Sequence, residues 1–403
     1  MLQSPLDLVG SRLLALVYGG LVYAAMFAVA AIVVRRGTAK TLTENQFGRV
    51  GSLDGLRGML ALGVFVHHSV TSYVWATTGV WSWGPNAVLN QLGQTTVALF
   101  FMTTGFLFAL KAMKPIAWIG FYLTRIARLA PLYFLVVIAV FIIVFTVTGE
   151  LRESPLLIAR ELLQWLAFVC FGRPDVNAFA HTWILIAGVN WSLKYEILFY
   201  ALAVPMLYWL NAVSSSTVAL AVVIVLLLGT TLLYRATARM NADLLYSAHF
   251  LGGIAVAYAY SIPRLRSAVQ SAGSRWLGAV AALSLVFMVN ADSAKAVAAS
   301  ILIFSAVIGN ASMFGLLKTR PAIWLGDVSY GIYLLHGLCL WLAYRIVKVP
   351  LSGLGFVFFA LVICMLAVVA ATFSYLYLEL PVMKYAKARR IPTAVTDGVS
   401  SAV

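Results

Sequence analysis

Charge is what this chain has least of: Asp, Glu, Lys and Arg make up 10% of its 403 residues, against 63% hydrophobic. With a mean hydropathy of +0.96, it lacks the charged exterior that a soluble protein of this length needs. Acidic groups are the rarest, 13 against 28 basic ones, which leaves a net charge of +15. Nucleic-acid binders share such a surplus, but here the basic residues stand at the ends of apolar runs, as the positive-inside rule requires of a membrane protein. No nucleic-acid partner is expected. Cysteine is nearly absent: Cys170, Cys339 and Cys364 form no CxxC pair and no even-numbered framework, so neither disulfides nor zinc is implied. The five histidines show no HExxH or paired ligand spacing, and no metal is expected. There is no internal repeat and no low-complexity block.

What the chain has is long apolar runs. They fall near 13–34, 54–74, 95–113, 119–147, 190–210, 217–234, 244–261, 276–290, 296–316, 324–345 and 353–380. The prediction is an all-α polytopic membrane protein of about eleven spans. A weaker segment at 156–171 carries Arg160, Glu161 and Gln164, which suits a helix lying along the interface or folding back. The first run is too long for a signal-peptide core and Arg35-Arg36 follow it directly, so an uncleaved anchor is expected over residues 1–36. A membrane domain over 37–385 and a short cytoplasmic tail over 386–403 complete the division, with "IPTAVTDGVSSAV" after Arg390 too polar to pack. With eleven spans and the C-terminus inside, inner segments hold sixteen basic residues and outer segments nine, among them Arg235 and Arg239. That bias predicts N-out, C-in.

Charge inside hydrocarbon is expensive, so ionisable residues within the runs are functional candidates. "LDGLRGMLALGVFVHHS" carries Asp54, Arg57, His67 and His68. Eleven residues from Arg57 to His68 turn a helix by about 1100°, roughly 20° past three full turns, so both side chains share one face. Their axial offset of about 16 Å puts His68 near the middle of a ~30 Å hydrocarbon core when Arg57 is at its inner rim. An imidazole there suits the general base for a hydroxyl, or a residue merely hydrogen-bonded to a neighbouring helix. "FYLTRIARLAPLY" sets Arg125 and Arg128 three apart on one helix face, a pair suited to phosphates; positive-inside anchoring accounts for Arg125 alone equally well. "NWSLKYEILFY" places Glu196 in the first turns of a helix, where it either complements the N-terminus or faces a polar cavity. In "LGDVSYGIYLLHG", continuous helical phase sends Asp327 and His336 to opposite sides, and His336 is as readily a packed residue as a catalytic one. "YLELPVMKYAKARR", with Glu379 before Pro381, reads as the basic anchor of the last span.

These islands, in this order, resemble the bacterial acyltransferase family 3 of integral membrane O-acyltransferases. The matching pieces are "LDGLRGMLALGVFVHH", "LFFMTTGFLF", "RIARLAPLY", "WSLKYEILFY" and "LGDVSYGIYLLH", and they reach from Leu53 to His336. The family's pattern of a basic residue, ten others and a histidine falls on Arg57 and His68. Its paired arginines fall on Arg125 and Arg128, and its Trp-Ser-Leu-x-x-Glu carboxylate on Glu196. Where the family commonly has Ser-Gly, this chain has Thr103-Thr104-Gly105. The run at 13–34 lies ahead of the family's ten-helix core and has no counterpart there. No extracytoplasmic hydrolase-like domain is expected after the last basic cluster.

The resemblance implies acetyl-CoA or another acyl-CoA as donor co-substrate, used from the cytoplasmic side of a bacterial inner membrane. It implies an acceptor hydroxyl on a polysaccharide, glycan or glycolipid of the cell envelope. Arg57, Arg125 and Arg128 then hold the donor's phosphates. His68 deprotonates the acceptor or carries the acyl group, and Glu196 holds the acceptor or tunes the histidine. Thr103, Thr104, Ser192 and His336 are candidate oxyanion or acceptor contacts. The rival reading is a glycan or lipid transporter or flippase whose pathway these residues line. A scaffold or sensor with inert buried charges is the third.

Overall fold

Each of the eleven apolar runs coincides with a helix or a helix pair in the computed structural model, which describes residues 11–36, 51–84, 86–237, 241–287, 293–347 and 352–388. In chain order these are α1 Arg12–Arg35, α2 Gly51–Thr78, α3 Ala87–Ala112, α4 Trp118–Thr148 and the short α5 Pro155–Leu166. Next come α6 Trp191–Leu198 and α7 Val204–Val213, joined through a π-turn at Phe199–Ala203, then α8 Ser216–Ala236 and α9 Ala242–Ser261. The rest are α10 Pro263–Val269, α11 Ala272–Phe287, α12 Ala294–Ile308, α13 Arg320–Asp327, α14 Ser329–Ile346, α15 Gly353–Ser374 and, after a π-turn at Tyr375–Glu379, α16 Leu380–Ala388. Among the described residues there is no strand beyond an isolated bridge between Val176 and Phe179. Short polar side chains start several helices: Asn86, Ser215, Thr319 and Ser352 each accept from a backbone N–H of the first turn.

Six of the described helical stretches are long and apolar enough to cross a membrane, and a seventh is α13 with α14, bent by 68° at Val328. The expectation of about eleven spans rests on runs whose helices include polar ones, α2 above all, with its four ionisable groups. The tail after Arg390 and the basic residues Lys40, Arg49, Arg239, Lys348, Arg389 and Arg390 lie outside the described residues.

Lipid is as apolar as leucine, so helices in a bilayer associate by close packing and hydrogen bonds rather than by a hydrophobic drive. The seam between α3 and α9 shows how. A Cβ on Gly105 would stand 2.4 Å from the Phe250 carbonyl oxygen, and one on Gly253 would stand 2.1 Å from the Met102 carbonyl oxygen. Both obstacles are backbone, which cannot swing aside. Gly253→Ala is therefore expected to lower the melting temperature of the detergent-solubilised protein, with a destabilisation of about 1–3 kcal/mol typical of overpacking. An unchanged melting temperature would show that the two helices do not pack this closely.

The first helix is fully integrated. Its face of Ala15, Tyr18, Val22, Met26 and Ala30, spaced three or four apart, is buried against α2, α13 and α15. Tyr18 shares a hydrogen bond with Ser69 Oγ at 2.6 Å, and Tyr23 donates to the Met59 carbonyl at 2.9 Å. On the far side of the core, α2 and α3 pack together, α13 and α14 pack on α2, and α15 packs on α14. Two π-turns interrupt this frame. Each widens one turn and re-aims its side chains, and the tyrosines they carry, Tyr200 and Tyr375, face the same cavity.

Candidate active site

Two cavities lie within the bundle, and the candidate residues divide between them. The first, of about 310 Å³, is lined by all three predicted phosphate-binding arginines, Arg57, Arg125 and Arg128, together with Thr103, Thr104, Ser192, Glu196 and Asp327. The second, of about 440 Å³, is lined by His67, His68 and His249, the indoles of Trp81, Trp83, Trp183 and Trp191, and Arg173. We refer to them as the arginine chamber and the histidine chamber. Helix α2 serves both, with Arg57 in one and His68 in the other, as their shared stripe and axial offset require.

The three arginines are not equivalent. Arg128 Nη1 donates to Glu379 Oε2 at 2.9 Å and its Nη2 to the Asp327 carbonyl at 3.0 Å. Glu379, read from sequence as part of a basic anchor, is fully buried and also accepts from Ser374 Oγ at 2.9 Å. Arg128 is thus already neutralised in place. Arg57 is 4.0 Å from Asp54 with 30% of its side chain exposed, the looser pairing. Arg125 lies over the Phe108 ring at 5.3 Å, and its Nε has no hydrogen-bond partner among the described residues. Arg125 and Arg57 are the guanidinium groups with capacity to spare for an anion.

In the histidine chamber the hydrogen bonds fix the proton positions. A carbonyl oxygen only accepts, so His336 Nδ1, 3.0 Å from the Ile332 carbonyl, must carry a proton and donate it. The neutral ring then offers a lone pair at Nε2, which stands 2.9 Å from His68 Nδ1. His68 therefore donates from Nδ1 and keeps its own lone pair at Nε2. The two rings stack at 5.1 Å with an interplanar angle of 19°, and His336 is completely buried. His67 points elsewhere, with Nδ1 3.2 Å from the Leu89 carbonyl. The result is an oriented imidazole base, held from behind by a second imidazole.

The other candidates are placed differently from their expected roles. Glu196 lines the arginine chamber, where its carboxylate accepts from the Tyr200 hydroxyl, whereas His68 takes His336 as its partner. Thr103 Oγ1 donates to the Leu99 carbonyl at 2.8 Å, so its hydrogen is committed to its own helix. Thr104 also lines the arginine chamber. Ser192 Oγ lies 2.8 Å from the Tyr333 hydroxyl. The assignment of Asp327 and His336 to opposite sides assumed one continuous helix; the break at Val328 removes that phase relation, and each residue reaches a different chamber or its wall.

Sequence reasoning missed the lid of the histidine chamber. Residues 167–190 run between α5 and α6 with left-handed backbone at Phe168, Val169, Asn177, Ala178, His181 and Ala187. Irregular backbone is tolerated in hydrocarbon only where protein buries it or it lines a cavity. Here it is stapled throughout. Buried Asn177 donates to Thr148 Oγ1 and the Glu150 carbonyl and accepts from the Arg152 N–H, while Trp165 Nε1 donates to the Pro174 carbonyl. The segment brings Trp183 and Arg173 to the chamber, the guanidinium lying over the indole at 4.9 Å and donating to the Gly188 carbonyl. Beside it, burial and neighbouring Glu153 raise the Glu161 carboxyl to about 7, although the Asn177 N–H at 3.1 Å pulls the other way. From an unfolded value of about 4.3, that rise makes the fold around Glu161 most stable when its carboxyl is protonated, although the Asn177 hydrogen bond itself favours the ionised form. That contribution to stability is lost as pH climbs through the folded value. The "WSW" at 81–83 and Trp191 of "NWSLKYEILFY" are the marks this aromatic site leaves in the sequence.

Comparison with known proteins bears on the same residues. The family model for the acyltransferase domain matches residues 50–375. Acyltransferase MdmB of Streptomyces mycarofaciens is 30% identical over 169 residues, which is 40% of this chain and 39% of that protein, so the chain spans about two fifths of the length of this relative. No solved structure matches.

Proposed function

Since this chain belongs to the acyltransferase domain family, we propose that it is a membrane-embedded O-acyltransferase that moves an acetyl group from acetyl-CoA to a hydroxyl of an envelope glycan or glycolipid. The donor's phosphates bind in the arginine chamber, with Arg57 and Arg125 as the principal contacts and Arg128 shaping the floor through Glu379. The acceptor lies in the histidine chamber, where indole faces suit the apolar faces of a sugar ring. Arginine loops on the cytoplasmic side and an N-out, C-in arrangement in a bacterial inner membrane complete the reading.

The observation that carries it is the His336–His68 pair, in which His336 orients the neighbouring imidazole and leaves a lone pair at His68 Nε2. The acceptor hydroxyl gives its proton to His68 Nε2 as its oxygen attacks the thioester carbonyl carbon. The C–O bond forms, the C–S bond breaks, and the imidazolium returns the proton to the CoA sulfur. Glu196 and Tyr200 shape the donor side rather than the base.

Calorimetric binding of acetyl-CoA and of free CoA to the purified, detergent-solubilised protein is the test. Saturable micromolar binding of both is the expected result. Arg125→Ala is expected to weaken it, and by a smaller factor at high salt, where the charge interaction is screened. No binding of either ligand by folded protein would overturn the reading and favour a transporter of glycan or lipid.

A further inference from the structure

The two chambers share two lining residues, Val97 on α3 and Tyr333 on α14. They mark the place where the two chambers adjoin. Tyr333 is the fixed side of this partition. It is 8% exposed, its hydroxyl lies 2.8 Å from Ser192 Oγ and 3.2 Å from the Val189 carbonyl, and its ring meets Phe100 and His336 edge-on at 6.1 and 6.2 Å. Val97 is the other side, an isopropyl group standing one helical turn beyond Gly93, on which the His67 ring rests. A β-branched side chain in a helix has one dominant rotamer, so Val97 does not swing clear.

Resting on the acyltransferase reading above, we infer that Val97 and Tyr333 form the port through which the acyl group reaches His68, and that Val97 limits the acyl group to a short one. The geometry of delivery is the reason. Phosphates held by arginines keep the nucleotide end of the donor in the first chamber, so the acyl end leads. The carbonyl carbon has to come within about 3–3.5 Å of the acceptor oxygen, and that oxygen within about 2.6–3.2 Å of His68 Nε2. Every atom beyond the carbonyl then occupies the port or the space the acceptor needs. A six-carbon chain competes with the acceptor and meets the isopropyl group on the way. The reaction itself is unchanged: the thioester C–S bond breaks, the ester C–O bond forms, and the hydroxyl proton passes through His68 to the CoA sulfur.

The experiment follows release of free CoA thiol from acetyl-CoA and hexanoyl-CoA by the full-length solubilised protein, with concentrated methyl glycosides and water as the available acceptors. Wild type is expected to prefer acetyl-CoA. Val97→Ala, which introduces no clash, is expected to raise the hexanoyl-to-acetyl ratio of kcat/KM by about tenfold, the scale on which a methylene or two is discriminated by an apolar site. Val97→Phe, which narrows the port, is expected to suppress release from both donors. An unmoved ratio in Val97→Ala, with wild type active, overturns the port alone. Absence of release by wild type overturns the acyltransferase reading and the port with it.

Discussion

Replacing His68 by alanine is expected to cut acyl transfer by about 10²–10⁴-fold, the range a positioned general base supplies, while acyl-CoA affinity stays unchanged. The two readouts separate because the residues behind them are in different chambers. On the proposed reading the donor's phosphates meet Arg57 and Arg125, and His68 lies about 16 Å along the same helix from Arg57. The loss at His68 is chemical rather than structural for a specific reason. Its ring is partly exposed to the chamber and its one strong partner is His336, whose other nitrogen remains tied to the Ile332 carbonyl whatever happens at residue 68. Truncation therefore leaves His336 anchored to its own helix, at the cost of one unpaired imidazole nitrogen. Rate assays with calorimetry on the same preparation decide the matter. Loss of CoA binding along with transfer would make His68 a structural residue, and retained transfer would remove it from the mechanism.

Glu379→Ala is expected to have the largest effect on stability, about 3–5 kcal/mol, the usual cost of removing one partner of a buried ion pair. Glu379 is fully buried, and its carboxylate is the counter-charge 2.9 Å from Arg128, whose side chain is only 15% exposed. The carbonyl of Asp327 is a dipole and cannot replace a full charge. Two more guanidinium groups line the same chamber, so losing the carboxylate also leaves like charges facing one another. The tyrosine rings around Arg128, Tyr330 at 5.7 Å and Tyr375 at 5.6 Å, soften the loss only partly, since a cation over a ring gains far less than a salt bridge in the same place. Thermal unfolding in detergent reads the result directly. A Glu379→Ala protein as stable as wild type would show that water in the chamber, rather than the carboxylate, carries the Arg128 charge.

The helices were legible because the apolar runs are long and broken by polar or glycine-containing segments; every run became a helix or a helix pair, and the weaker stretch at 156–171 became the short α5. The division of the ionisable residues was legible only along a single helix. Arg57 and His68 could be placed by phase and rise because eleven residues of uninterrupted α-helix join them. Asp327 and His336 could not, because the phase count ran across a break at Val328 that the local sequence did not announce. Pairings between distant segments were beyond reach in principle: His68 meets His336 across 268 positions and Arg128 meets Glu379 across 251. Nothing in the spacing of either pair encodes the contact. The lid was opaque for a related reason, since its shape depends on hydrogen bonds that Asn177 makes to three other parts of the chain.

The break at Val328 also gives α14 an unusual position. Its first turns put Ser329 and Tyr330 in the arginine chamber, its middle supplies Tyr333 to both, and one turn further on His336 holds His68. On the proposed reading one helix touches donor, passage and base in sequence, so a displacement that a bound donor imposes at Tyr330 would reach the imidazole pair. Thermodynamic linkage makes such coupling mutual: the factor by which donor occupancy alters acceptor affinity is the factor by which acceptor occupancy alters donor affinity.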